Sequence, residues 1–80
     1  MEYDYAKMGM LIRKIRKEKG ISQEVISGLA NIGRSHLSMI ETGNKNASVE
    51  TLWQISRALN ISMSALFERY EKEYEEQDFH

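Results

Sequence analysis

The chain has 80 residues and lacks both cysteine and proline. Without cysteine it can form neither a disulfide framework nor a thiolate metal site, which fits a reducing compartment. The absence of proline fits a nearly all-helical chain. Long apolar runs are missing too: none approaches the roughly 18 residues that a membrane span needs. The first residues, MEYDYAK, are acidic and aromatic rather than signal-like. The expectation is a soluble cytoplasmic protein that makes no membrane contact. Histidine is scarce, His36 and His80 being the only two. No carboxylate pair has a distinctive spacing, and there is no glycine-rich phosphate loop. The chain is therefore expected not to be an enzyme and to need no metal, cofactor or small-molecule ligand.

A chain this small forms one domain and buries only about 60 to 65% of its unfolded surface, so modest stability is expected and a dimer would add to it. The formal net charge is -1, but it is unevenly spread. Residues 1–67 carry nine Lys and Arg against six Asp and Glu, whereas residues 68–80 carry two against six. An acidic end masks a basic body, the balance expected of a polyanion binder.

The centre of that body is Ser22 to Gly43, SQEVISGLANIGRSHLSMIETG. Ser22 before a run of helix formers is an N-cap, and Asn31 can take a left-handed conformation cheaply at the break Ala30-Asn31-Ile32-Gly33. A second helix is expected from about Arg34 to Thr42, stopped by Gly43. Leu37 and Ile40 point inward together, which leaves Arg34, Ser35, His36, Ser38 and Met39 facing out. A short helix with Arg, Ser and His on its open side, held by the helix before it, suits the major groove of DNA, roughly 12 Å wide.

The pattern resembles the Cro/CI-like (XRE-type) helix-turn-helix regulators. The matching residues are RKIRKEKG at Arg13 to Gly20, Gly20-Ile21-Ser22-Gln23-Glu24, Arg34-Ser35-x-Leu37-Ser38-x-Ile40-Glu41-x-Gly43, Thr51-Leu52, and Ala58-Leu59-x-Ile61-Ser62. The resemblance covers about Met8 to Phe67 and implies an all-α, five-helix, lambda-repressor-like DNA-binding domain. It also implies that Arg16 pairs with Glu41 as a structural tie between the first and third helices, and that Ser27 fills a site needing a small residue. Single-domain members of this length look like phage Cro-type repressors, restriction-modification controller proteins, or the antitoxin of a toxin-antitoxin pair.

In that register Arg34 offers a guanidinium fork to guanine O6 and N7, Ser35 and Ser38 can reach a base or a phosphate, and Met39 has only apolar contact with a thymine methyl to give. His36 can bond a guanine or a phosphate, or sit in solvent. Gln23 is expected at a phosphate, with bracing of the next helix as the alternative. Thr42, Asn44, Lys45 and Asn46 are assigned to the phosphates. Arg13 and Lys14 are either phosphate contacts or a solvated helix face.

Around this segment, a first helix is expected from about Tyr5 to Lys19 with Met8, Leu11 or Ile12, and Ile15 inward. A fourth is capped by Ser48, with Leu52, Ile55 and Leu59 inward and Asn60 at its end. A fifth begins near Ser62 or Ser64. Val25 and Leu29 form an apolar strip that the tail residues Tyr3 and Tyr5 could cover, or that is exposed. Beyond Phe67 the helical pattern continues through ERYEKEYEE, with Tyr70 and Tyr74 in line with Leu66 and Phe67. That stripe has no partner left in its own chain unless it folds back on the fourth helix, and the plain alternative is a frayed acidic tail; the reading preferred here places Trp53, Met63, Leu66, Phe67, Tyr70 and Tyr74 at a homodimer interface. The organisation read is a tail at 1–7, a helix-turn-helix domain at 8–67 and an acidic helical extension and tail at 68–80, of which 77–80 is expected to be disordered. The function read is a double-stranded-DNA regulator acting as a homodimer, a repressor more than an activator. The alternative is a protein-interaction module using the C-terminal helix.

Overall fold

The computed structural model describes residues 2–75. The expectation for residues 77–80 lies outside them. Five α-helices run as α1 Tyr5–Glu18, α2 Gln23–Ala30, α3 Arg34–Glu41, α4 Val49–Ala58 and α5 Met63–Tyr70, and a π-helical turn, Glu71–Glu75, extends the last. Their ends are set by short side chains. Asp4 caps α1 by accepting from Ala6 N (2.9 Å) and Lys7 N (3.3 Å). Ser22, Ser48 and Ser62 cap α2, α4 and α5 by accepting from the amides of Val25, Thr51 and Ala65. Asn31 closes α2 in the left-handed region at φ 57°, and Gly43 turns the chain after α3 at φ 81°. The segment expected as a tail at 1–7 thus caps and begins α1.

The core takes its apolar residues from all five helices: Met8, Leu11, Ile12 and Ile15; Ile26 and Ala30; Leu37 and Ile40; Leu52 and Ile55, with Leu59 at the end of α4; Leu66 and Tyr70. Two buried serines, Ser27 on α2 and Ser56 on α4, return their hydroxyls to their own helices at Glu24 O and Trp53 O. Their polar atoms are therefore satisfied at little cost in volume.

The aromatic stripe on α5 does have a partner in its own chain, which corrects the sequence expectation. Tyr70 is 3% exposed, and its hydroxyl accepts the Asp4 N–H at 2.8 Å. The Tyr3 ring packs over Phe67 and Tyr70 at centroid distances of 5.9 and 5.4 Å. The Lys7 ammonium lies 5.6 Å from the Tyr74 ring centroid. The N-terminal strap thus covers α5, and Val25 and Leu29 on α2 stay exposed. Lys14–Glu73 and Arg69–Glu18 add ion pairs between α1 and the C-terminal helix. The hydrogen bond from Lys14 to Glu73 raises the Lys14 pKa, and that from Arg69 to Glu18 lowers the Glu18 pKa. Both pairs are solvent-exposed, so they bias the position of the extension more than they stabilise the fold.

Two features hold α3 against α1. At Gly9 the helices meet so closely that an added Cβ would lie 1.9 Å from the carbonyl oxygen of Ile40. Two turns further along α1, Arg16 reaches Glu41, which is 2% exposed. Arg16 Nε donates to Glu41 Oε2 at 2.8 Å and Nη2 to Oε1 at 2.9 Å, while Nη1 donates to the Ile21 carbonyl at 2.8 Å. Gln23 Nε2 donates to the same Glu41 Oε1 at 3.0 Å. One carboxylate on α3 therefore gathers donors from α1 and α2.

Glycine to alanine has opposite signs at two helical positions. Gly9→Ala is expected to lower the unfolding free energy by about 2 kcal/mol or more, because the clash is with backbone that has nowhere to go. Gly28→Ala, where an added Cβ meets nothing within 4 Å, is expected to raise it by about 0.5–1 kcal/mol. Urea unfolding of the two variants checks both signs. For the buried pair, Glu41→Leu alone is expected to cost about 3–5 kcal/mol by stranding the Arg16 charge. The double variant Arg16→Met, Glu41→Leu should recover most of that loss in the same titration.

Candidate nucleic-acid interface

The candidate interface starts from α3, an eight-residue helix and so about 12 Å long. Its inner side is fixed by Leu37, Ile40 and Glu41, all buried. The outer side carries the five residues read as base contacts. Arg34, Ser35 and Met39 are exposed, and His36 and Ser38 are half-buried. Arg34 and Ser38 lie one turn apart, as do Ser35 and Met39, so their side chains form adjacent rows on one face. Alone among the five helices, α3 has an N-cap, Gly33, that makes no side-chain cap bond. Its first amides are left for water or for an anion.

The turn that aims this helix is short. The Ile32 amide bonds back to the Ser27 carbonyl at 3.0 Å and the Asn31 amide to Gly28 at 3.2 Å, so α2 ends in a bonded left-handed turn. Beyond α3 the chain folds back on the helix end. Thr42 Oγ1 donates to the Ser38 carbonyl at 2.9 Å and accepts from Asn44 Nδ2 at 2.9 Å, and the Asn44 amide donates to Met39 O at 2.8 Å. Lys45 and Asn46 follow, both exposed.

This geometry sorts the residues expected at phosphates. Lys45 and Asn46 project from the loop that continues α3. Asn44 retains its second amide N–H, but the Thr42 hydroxyl proton is spent within the turn. Gln23 is half-buried and holds Glu41. That bond is the bracing given as the alternative reading, and it uses one of the two N–H groups of the amide. Arg13 is exposed on α1, outside the helix-turn-helix. Among the described residues none of Arg13, Arg34 and Lys45 is paired with a carboxylate.

Of the residues expected at a dimer face, Leu66 and Tyr70 are buried within the chain itself, Tyr70 beneath Tyr3 and Asp4. Met63, Phe67 and Tyr74 are half-buried and Trp53 is 50% exposed, with the Arg57 guanidinium 4.6 Å from its ring centroid. Sequence reasoning missed Val49, at 75% the most exposed large apolar side chain of the described residues. A shallow apolar cavity of about 400 Å³ lies beside it, lined by Tyr3, Ala47, Val49, Leu52 and Phe67 among others. The missed signal was the i, i+4 spacing of Val49 and Trp53 on the side of α4 away from Leu52 and Ile55.

Among the described residues, no group of three or more His, Cys, Asp and Glu could hold a metal ion, and no helix is long and apolar enough to cross a membrane.

Known proteins share this arrangement. The family model described as Helix-turn-helix matches residues 12–66. The control protein C.MunI of a Mycoplasma species is 40% identical over 68 residues, which span 84% of this chain and 92% of that protein. The transcriptional regulator SinR of Bacillus subtilis is 36% identical over 72 residues, 88% of this chain and 65% of its own. The restriction-modification controller protein C.Esp1396I, solved as a tetramer in complex with its natural 35-base-pair operator, superposes with a TM-score of 0.84 at 33% identity, covering 91% of this chain and 96% of that one. The bonded turn, the exposed face of α3 and these matches agree, and the chain belongs to the XRE-type helix-turn-helix family.

Proposed function

We propose that this chain is a sequence-specific, double-stranded-DNA-binding transcriptional regulator. It acts in the cytoplasm as a homodimer on a roughly palindromic operator, and represses more readily than it activates. The observation that carries the reading is the outward face of α3, where Arg34, Ser35 and Met39 stand exposed on a helix that the Glu41 network holds at a fixed attitude. Relatives named as control, regulator and repressor proteins support it, as does C.Esp1396I solved on its operator. The chemistry is binding, with no catalytic step. Arg34 supplies the bidentate match to guanine, Ser35, Ser38 and His36 supply shorter hydrogen bonds, and Met39 supplies apolar contact with a thymine methyl. Lys45, Asn46 and the free amide proton of Asn44 set the register on the phosphates. Binding over a promoter excludes polymerase, and occupancy follows protein concentration.

One helix of about 12 Å reads only a few base pairs, so the working unit places two such helices about 34 Å apart in successive major grooves. The dimer contact is drawn on the outer side of α4, where Val49 and Trp53 are exposed and Val49 borders the apolar cavity that Phe67 also lines. The reading of the chain as a protein-interaction module drew on an unpartnered aromatic stripe, and Tyr3 and Asp4 fill that role in cis.

Selection of bound sites from random duplexes gives the operator and the half-site spacing together. On the selected site Arg34→Ala is expected to lose about 10-fold or more in affinity, within the roughly 1–3 kcal/mol of one bidentate base contact, with little change on unrelated duplexes. Lys45→Ala should weaken both alike and reduce the logarithmic salt slope by about 1. The unmodified chain should lose about 10³-fold in affinity between roughly 50 and 200 mM salt if the dimer makes six phosphate contacts. A flat salt response together with full binding by Arg34→Ala would reject the function. For the dimer, sedimentation at micromolar concentration should give two copies for the natural chain and one for Val49→Asp, whose site is too exposed for the charge to unfold the domain.

A further inference from the structure

The middle of the outward face of α3 is held by a side chain that cannot form a strong hydrogen bond. With successive residues turned by about 100°, Ser35 and Met39 point opposite the buried Leu37, Ile40 and Glu41, and Arg34 and His36 flank them. Met39 is 43% exposed, and no other large apolar side chain of α3 is. Its carbonyl accepts from the Asn44 amide at 2.8 Å and from Thr42 Oγ1 at 3.3 Å. The backbone is thus held from the loop side, and the side chain stands outward. A thioether has no proton to donate and accepts only weakly, so at the centre of a face that meets DNA it needs an apolar counterpart. In the major groove of unmodified DNA that counterpart is the C5 methyl of thymine.

The same geometry makes the contact indifferent to the base that carries the methyl. Thymine shows the O4 acceptor beside its methyl, whereas cytosine methylated at C5 shows the N4 amino donor beside the same group. The thioether distinguishes neither. Ser35, one turn back in the same row, has a hydroxyl that both donates and accepts, so either edge satisfies it. Three rotatable bonds and a polarizable sulfur let the Met39 side chain follow the methyl on either base. We infer that Met39 reads the methyl group itself, so that operator binding responds to methylation of cytosine at C5 in the base pair it faces. The inference rests on the operator-binding reading. Methyl transfer to cytosine C5 then joins protein concentration in setting occupancy, because it adds one buried carbon to the contact and removes no hydrogen bond. The gain is about 4-fold in affinity, the equivalent of roughly 0.8 kcal/mol per buried CH₂ group.

The experiment titrates the full chain with its selected operator carrying single replacements in one half-site. Thymine to deoxyuridine removes the methyl and nothing else. The natural chain is expected to lose about 4-fold at one thymine, and Met39→Ala, at a site too exposed to endanger the fold, should bind the thymine and deoxyuridine duplexes alike. Met39→Leu keeps the apolar bulk and should keep the preference. At that same position 5-methylcytosine paired with guanine should bind about 4-fold tighter than unmodified cytosine, for the natural chain and Met39→Leu but not for Met39→Ala. The absence of any methyl-sensitive thymine, or a sensitivity that survives Met39→Ala, overturns the inference and leaves the operator reading standing. A sensed thymine methyl with no gain from 5-methylcytosine overturns it too, because the base would then be read along with its methyl. Failure to bind any selected duplex overturns both.

Discussion

Glu41 places a carboxylate where water barely reaches, and the orientation of everything facing outward from α3 follows from the donors it collects. An isolated buried carboxylate is heavily penalised. Here the Arg16 fork and the Gln23 amide answer it with three hydrogen bonds from two other helices. A leucine at that position could supply comparable adhesion, since buried ion pairs are seldom better than well-packed apolar residues on net stability. What a leucine lacks is direction. Apolar contact tolerates a roll of α3 about its axis, whereas a planar guanidinium gripping a planar carboxylate does not. Successive residues of an α-helix are turned by about 100°, so a modest roll would swing the row of Arg34 and Ser38 away from the direction it faces.

Gly9 works on the same joint from the backbone side. By omitting a side chain it lets α1 come close enough at Ile40 for the Arg16 fork, two turns along, to reach its partner squarely. The close approach and the ion pair are two parts of one constraint, and the reading face is aimed by residues that never touch what it reads.

Much of this was open to inspection in the chain itself. The serines ahead of α2, α4 and α5, the left-handed Asn31 and the stop at Gly43 are local signals, because each depends on a few neighbouring residues. The outward set on α3 also followed from spacing once Leu37 and Ile40 were turned inward. The Arg16–Glu41 tie came only from likeness to a family, since 25 residues separate its members and no local rule joins them. Where the reading went astray, the periodicity was right and the partner was not. The stripe of Leu66, Phe67, Tyr70 and Tyr74 is apolar on one side as its spacing requires, but spacing cannot say whether Tyr3 of the same chain or another molecule covers it. Gln23 shows a related limit, because spacing along the chain does not bring out the bond its amide makes to Glu41, 18 residues away.

The charge distribution separates the surfaces that the fold creates. Through Tyr74 the acidic extension is held against α1 by Lys14–Glu73 and Arg69–Glu18 and by the Lys7–Tyr74 contact. These attachments lie on helices other than the reading one, so a chain with a net charge of -1 can still offer a basic approach to a polyanion, whose field is felt over roughly 8 Å in physiological salt. Closing the aromatic end in cis has a second effect. With Tyr70 sealed by Tyr3 and Asp4, the two most exposed large apolar side chains of the described residues are Val49 on α4 and Leu29 on α2, on helices other than the reading one. Self-association and reading then draw on different residues, so changes in one need not disturb the other.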